Sequence, residues 1–186
     1  MPAGEMTAQA ARRLTQQISD PRFVVLFDHG NPRLDGVNRV GQIASWFGNH
    51  YDSNSRLALL DIAVIDRRLN TVLALVEIEE TSVNPKTIIG DAFGFLFGDH
   101  LTFQGEQDLV VGDFTSFLIL VKGAGAEKRL RCSYLQKQIS AAIKQISSQN
   151  ATIGDLSIDI FEDEARLYEI LDQFIKRSIA AYLKPI

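Results

Sequence analysis

Two apolar runs, Leu57–Asp66 and Thr71–Glu79, separated by Arg67-Arg68-Leu69-Asn70, constrain this chain more than any other feature. The first is apolar on both alternating faces, the pattern of a strand buried inside a sheet. The second is similar, so the pair reads as a hairpin. Acids interrupt both strands: Asp61 within Leu59-Leu60-Asp61-Ile62-Ala63, and Glu77 and Glu79 within Val76-Glu77-Ile78-Glu79. An ionised carboxylate buried without a partner costs several kcal/mol. Something must therefore compensate these acids: a base, a hydrogen-bond network or a cation.

Register decides whether the three act together. Glu77 and Glu79 are two apart on one strand and share a face. If the loop is Arg68-Leu69-Asn70, with Asn70 in the left-handed conformation that such loops need at their last position, Arg67 pairs with Thr71. Counting back then sets Asp61 opposite Glu77, with Cβ atoms ~5 Å apart on one face. A loop one residue shorter or longer moves Asp61 to the other face. Like charges opposite each other destabilise a sheet unless they serve as ligands. Carboxylates, water and a backbone carbonyl form the oxygen-rich shell that Mg²⁺ or Mn²⁺ takes. The alternative is a solvated strand end at Glu77, Glu79 and Glu80, with Asp61 neutralised by an arginine or lysine.

The remaining elements follow from periodicity. Residues 1–19 form a helix ended by Asp20-Pro21, and Phe23–Phe27 a strand. A helix spans about Asp35 to His50, with Val37, Val40, Ala44 and Phe47 on one face. Asn84-Pro85-Lys86 opens a largely buried helix to about Phe97. Its Gly90 and Gly94 read as sites of close packing, with a ligand role as the alternative. Phe114–Val121 is a strand, about Lys128–Ser148 a helix, Leu156–Phe161 a half-buried strand, and Asp163 to about Leu183 a strongly amphipathic helix. Asp52, Asp99-His100, Glu106, Asp108 and Asp113 read as loop residues. This order predicts an α/β fold with a mixed central sheet flanked by helices.

Length supports one domain over residues 1–186, since a domain holds ~150 residues. Apolar residues at 46% and charged residues at 23% exclude a disordered, collagen-like or charged-solenoid chain. The single cysteine, Cys132, excludes an intramolecular disulfide framework and a cysteine-rich zinc site. No apolar run approaches the ~20 residues of a membrane span. Residues Met1 to Met6 carry Glu5 and no apolar stretch, which predicts no secretory leader and a cytoplasmic location. A net charge of −4 argues against a basic clamp over the whole surface, and leaves room for a local basic face.

An acid on one strand of a hairpin, Glu-x-Lys on the next, then a helix, is the pattern of the restriction-endonuclease-like, or PD-(D/E)XK, nuclease superfamily. Asp61 and Glu77-Ile78-Glu79 resemble it, within a helix, hairpin, helix and strand over about residues 35–121. Leu60 stands where the name-giving proline would be, and Glu79 where the lysine would be. Some restriction enzymes of the superfamily use Glu-x-Glu, and in others the lysine is relocated. Lys86 is the candidate for that relocation here, the alternative being a solvated lysine at a helix start. The resemblance implies Mg²⁺- or Mn²⁺-dependent endonucleolytic hydrolysis of DNA phosphodiesters. Asp61 and Glu77 would hold the metal, Glu79 would bind metal or orient the attacking water, and a lysine would stabilise developing charge. Cutting both strands at one place implies a homodimer, with the C-terminal helix as one interface or as core cover. The preceding helix often carries a polar residue near the metal, where Gln42 stands; it reads as a surface glutamine.

Gly123-Ala124-Gly125-Ala126 lacks the Gly-Lys-Ser/Thr ending of a nucleotide-binding loop. It leads into Lys128, Arg129 and Arg131, candidates for DNA phosphate contact at the start of the helices of about residues 128–183; the alternative is a solvated helix face. A catalytically inactive binding or assembly protein on the same fold is the rival reading, which Glu79 and the acidic net charge favour.

Overall fold

The computed structural model describes residues 4–29, 42–48, 52–80, 84–98, 100–103, 107–146 and 154–184. In chain order the elements are α1 (Glu5–Gln17), β1 (Phe23–Phe27), β2 (Ile43–Trp46), β3 (Arg56–Leu60), β4 (Ile62–Asp66), β5 (Thr71–Glu79), α2 (Pro85–Leu96), β6 (His100–Phe103), β7 (Gln107–Leu109), β8 (Ser116–Lys122), α3 (Ala126–Ile146), β9 (Asp155–Phe161) and α4 (Glu164–Tyr182). The helix starts follow local chemistry. Asn84 accepts the Lys86 N–H ahead of Pro85, and Asp163 accepts the Arg166 N–H ahead of α4.

The central sheet runs β1-β4-β5-β8-β9. β1, β4 and β5 are antiparallel, while β5, β8 and β9 are parallel, joined by α2 and α3. A mixed sheet flanked by helices is thus present. Each face has its own core. Met6, Ala10, Ala11 and Leu14 of α1 and Leu167, Leu171, Phe174 and Ile175 of α4 pack on Val64, Val76 and Leu118. Ile88, Ala92 and Phe95 of α2 and Leu135 and Ile139 of α3 pack on Ala63, Leu75 and Ile119, together with a second, antiparallel sheet in the order β3-β2-β6-β7.

The stretch expected as a helix over about Asp35 to His50 contains strand β2. Its described part, Ile43–Trp46, is buried at every residue and has no solvated face to separate the two periods. Trp46, off the expected helical stripe, donates its Nε1–H to Thr102 Oγ1 in the core. Phe47, expected inward, is 63% exposed. Residues 35–41 lie outside the described residues. The helix that precedes the hairpin among the described elements is α1.

The long first strand is two strands. β3 and β4 belong to different sheets, and the chain crosses between them at Asp61. β4 is buried throughout, whereas Leu57 and Leu59 of β3 are exposed. The β4–β5 loop has four residues, Arg67–Asn70, because Asp66 pairs with Thr71. Asn70 has a φ of 49°, as the turn demands. The longer loop would displace Asp61, but a bulge between Val64 and Ile65 moves the register by one. Ile62 then pairs with Val76, which sets Asp61 level with Glu77 after all.

Strands β6 and β7 occupy a stretch read as loop; Asp108 lies on β7 and faces His100 at 3.9 Å. Asp99 and Glu106 lie outside the described residues. Close packing explains Gly94, where a Cβ would meet Ala58 Cβ at 2.8 Å and Leu57 O at 3.2 Å. Gly90 faces open space.

β9 is an edge strand, and side chains cap its rim. Gln136 Oε1 accepts the Ile158 N–H and Asp159 Oδ1 accepts the Ile160 N–H. The apolar stripe of α4 packs on the core, so the helix serves as core cover. Among the described residues no helix is long and apolar enough to cross a membrane.

Candidate metal centre

Alternation along the strands fixes the site. Asp61 continues the row of Ala63 on β4, and Glu77 and Glu79 continue that of Leu75 on β5. All three therefore lie on the side covered by α2 and α3. β5 outruns β4 here, because the partner strand has turned off into the second sheet. Asp61 Oδ2 accepts the Ile78 N–H at 2.8 Å, the donor that a continuing strand would have bound. The Asp61 carbonyl accepts the Asp28 N–H at 3.1 Å, which ties the corner to the end of β1. His29 Nε2 lies 3.7 Å from Asp61 Oδ1.

Burial pushes the Asp61 carboxyl up to about 6; the Ile78 N–H and His29 pull it down, and Asp28 and Glu80 push it further up. Glu77 is pushed up to about 10, first by burial, then by the charges of Asp61 and Asp91, against the Asp61 backbone N–H, with Glu79 adding to the rise. Its Oε2 is buried and has no hydrogen-bond partner. Two carboxylates so placed cannot both ionise cheaply, and the pair retains a proton near neutrality.

The same chain satisfies another buried acid fully. Asp66, with no exposed surface, accepts from Arg22 Nε at 2.7 Å, Tyr182 Oη at 3.0 Å and the Arg68 N–H at 3.0 Å, with Arg22 Nη2 at 2.6 Å. Burial works to raise its carboxyl, yet these partners hold it below the usual carboxylate range. The basic side chain that Asp61 meets is a histidine, His29, rather than an arginine or lysine.

Asp91 joins the acids from α2. It sits three residues after Ile88 and four before Phe95, both buried against the sheet. Burial, then Glu79, push its carboxyl up to about 6, and it raises Glu77 in turn. Sequence reasoning missed it, although it is the sole charged residue between Ile88 and Phe97. Sequence reasoning sets His29 aside with His50 and His100, because the three lie far apart in sequence and form no metal-ligand pattern; the structure places its ring beside Asp61.

Lys86 is exposed at the start of α2 and makes no ion pair among the described residues; its backbone N–H is bound by Asn84 Oδ1. On α3, Arg129 pairs with Glu162 and Arg131 with Glu127 at 3.5 Å. Lys128 folds over Gly123, where an added Cβ would lie 2.9 Å from its Cδ. Gln42 is exposed just before β2 and accepts from Arg56 at 3.4 Å.

Among the described residues, no three histidine, cysteine, aspartate or glutamate side chains are gathered tightly enough to hold a metal ion as they stand. The donor chemistry nevertheless fits a hard divalent cation. Two partly buried carboxylates, one with an orphaned oxygen, lie level at the corner before β4 and on β5, and such an ion takes one or two carboxylates with water completing its shell. Comparison with protein-family profiles, with curated protein sequences and with solved structures gives no match.

Proposed function

We propose that this protein is a Mg²⁺- or Mn²⁺-dependent DNA endonuclease of the restriction-endonuclease-like, PD-(D/E)XK class. One observation supports the reading: Asp61, at the corner leading into β4, lies level with Glu77 of β5, both partly buried and with Glu77 Oε2 unpartnered, in a chain that supplies Asp66 with an arginine. A divalent cation is the compensation that fits. The hairpin β4–β5, the helix α2 after it and the parallel strand β8 add support, while strand β2 stands where the preceding helix was expected.

Asp61 and Glu77 would hold the ion, which lowers the pKa of a bound water and stabilises charge on a phosphoryl group. Glu79, on the same face, binds metal or orients the attacking water. Lys86 at the start of α2 supplies positive charge to the phosphate. Lys128, Arg129 and Arg131, at the start of α3, contact the DNA backbone. A homodimer cuts both strands, and its place is the cytoplasm.

The test is nicking of supercoiled plasmid with Mg²⁺ or Mn²⁺. Asp61→Ala and Glu77→Ala should each lower the rate by at least about 100-fold, the scale on which single stabilising groups act, with the circular dichroism spectrum unchanged. A wild-type chain that binds neither ion saturably and cleaves no plasmid, linear or branched DNA overturns the reading. The second reading, an inactive binding or assembly module, then takes its place. It is favoured by Glu79 at the lysine position and by the ungathered ligand set.

A further inference from the structure

We propose that the outward face of α3 binds an unpaired DNA strand, with Tyr134 stacking on a base between phosphate contacts from Arg131 and Lys137; the choice of polyanion rests on the nuclease reading above. α3 is buried along Cys132, Leu135 and Ile139, which belong to the core beneath it. At ~100° per residue, the side opposite is the line Leu130, Tyr134, Lys137 and Ala141, spaced four, three and four apart. All four are exposed.

Two features set this line apart from a merely solvated helix face. Leu130 is 72% exposed and Tyr134 62%, so a leucine and an aromatic ring one turn apart are left in water. A tyrosine–leucine pair at that spacing steadies a helix only slightly. The second feature is charge. Lys128, Arg129, Arg131, Lys137 and Lys144 stand on α3 against a single acid, Glu127, in a chain whose net charge is −4. Arg129 is turned aside to Glu162, just beyond β9. Arg131 meets Glu127 at 3.5 Å with both side chains exposed, a pair that water weakens and a phosphate can displace. Lys137 makes no ion pair among the described residues.

Arg131, Tyr134 and Lys137 are three apart, so each cation lies ~4.5 Å along the helix axis from the ring. That is the combination by which single strands are held: cations follow the backbone, and an aromatic ring takes the face of a base. A duplex keeps its base faces inside the stack and needs the cations alone, so Tyr134 selects for an unpaired segment, such as a branched or unwound duplex offers. α3 covers the same side of the sheet as Asp61 and Glu77, so a strand on α3 lies on the side of the candidate centre.

Binding of a short fluorescein-labelled DNA strand, and of its duplex, is read by fluorescence anisotropy at low salt with chelator present, so that no cleavage intervenes. Wild type should bind the single strand at least about tenfold more tightly than the duplex. Tyr134→Ala should weaken the single strand by about tenfold and leave the duplex within about twofold, while Tyr134→Phe should bind as wild type does. Lys137→Ala should weaken both forms and lower the log–log salt slope for the single strand by about 0.7. The circular dichroism spectrum should be that of wild type in every variant. A duplex bound as tightly as the single strand, or Tyr134→Ala indistinguishable from wild type, overturns the proposal. So does a dimer in sedimentation that Leu130→Ser dissociates, since a second copy would then cover the face. If the strand binds as expected and plasmid stays uncut with both ions, the nuclease reading falls and this surface stands. If plasmid is cut and Tyr134→Ala binds the strand as wild type does, the surface falls and the nuclease reading stands.

Discussion

Asp66 and Glu77 are both acids withdrawn from water, and the chain treats them oppositely. Asp66 has its arginine, so its folded pKa lies below the ordinary value. Its stabilising contribution is present above the ordinary carboxylate range and is lost as pH falls through the folded value. Glu77 titrates at about 10 when folded, so the folded state retains a proton that the unfolded chain releases. Stability therefore falls as pH rises from the ordinary carboxylate value to about 10. Asp61 and Asp91 act in the same sense between their ordinary values and about 6. We expect the melting temperature of the chelator-treated protein to rise as pH is lowered from 9 to 6, checked by calorimetry. Glu77→Gln should abolish most of that slope and stabilise the metal-free chain at pH 8. Saturating Mn²⁺ should flatten the slope in wild type and leave the variant unchanged. By contrast, Arg22→Ala leaves a fully buried carboxylate without its cation, with only Tyr182 Oη and the Arg68 N–H still donating, and should destabilise by about 3 kcal/mol in urea titration.

At the scale of elements, the hairpin shows how far pattern reading reaches. The level placement of Asp61 and Glu77 was legible, but through two departures that cancel. The loop is one residue longer than the turn chemistry of Asn70 implied, and a bulge, which leaves no mark in an all-apolar run, restores the count. Asn70 keeps its predicted role, so Asn70→Gly should be close to neutral and Asn70→Val should cost about 1–2 kcal/mol by equilibrium unfolding. Elements with one solvated face, such as α4, were legible to within a residue or so. β2 was not, since burial on all sides erases the difference between a period of two and one of 3.6. β6 and β7 are too short to show alternation and are defined by their neighbours. Gly94→Val would drive a side chain into Ala58 and the Leu57 carbonyl. A loss of about 1–3 kcal/mol is expected, read in the same unfolding assay.

For the molecule as a whole, the central sheet must be covered on both sides. α1 supplies Met6, Ala8, Ala10, Ala11 and Leu14 to one of them, and at its start Gly4 lies against His29, where an added Cβ would come within 2.4 Å of the ring. A chain beginning at residue 20 should therefore lose cooperative thermal unfolding and, with it, Mn²⁺ binding. The surroundings of Asp61 and Glu77 draw on five separate stretches: the end of β1, the Asp61 corner, β5, α2 and the start of α1. Local pattern could find the acids because strands carry them. It could not place His29 beside Asp61 or Gly4 behind its ring, contacts that only tertiary packing brings about.

Gln136 and Asp159 stopper the outer rim of β9 from within. The ladder cannot be extended there by a neighbour's backbone, so crowded solutions should be spared fibril growth from that border. Gln136→Leu would uncork it, and the change should appear as thioflavin-positive aggregate before any loss of helical signal.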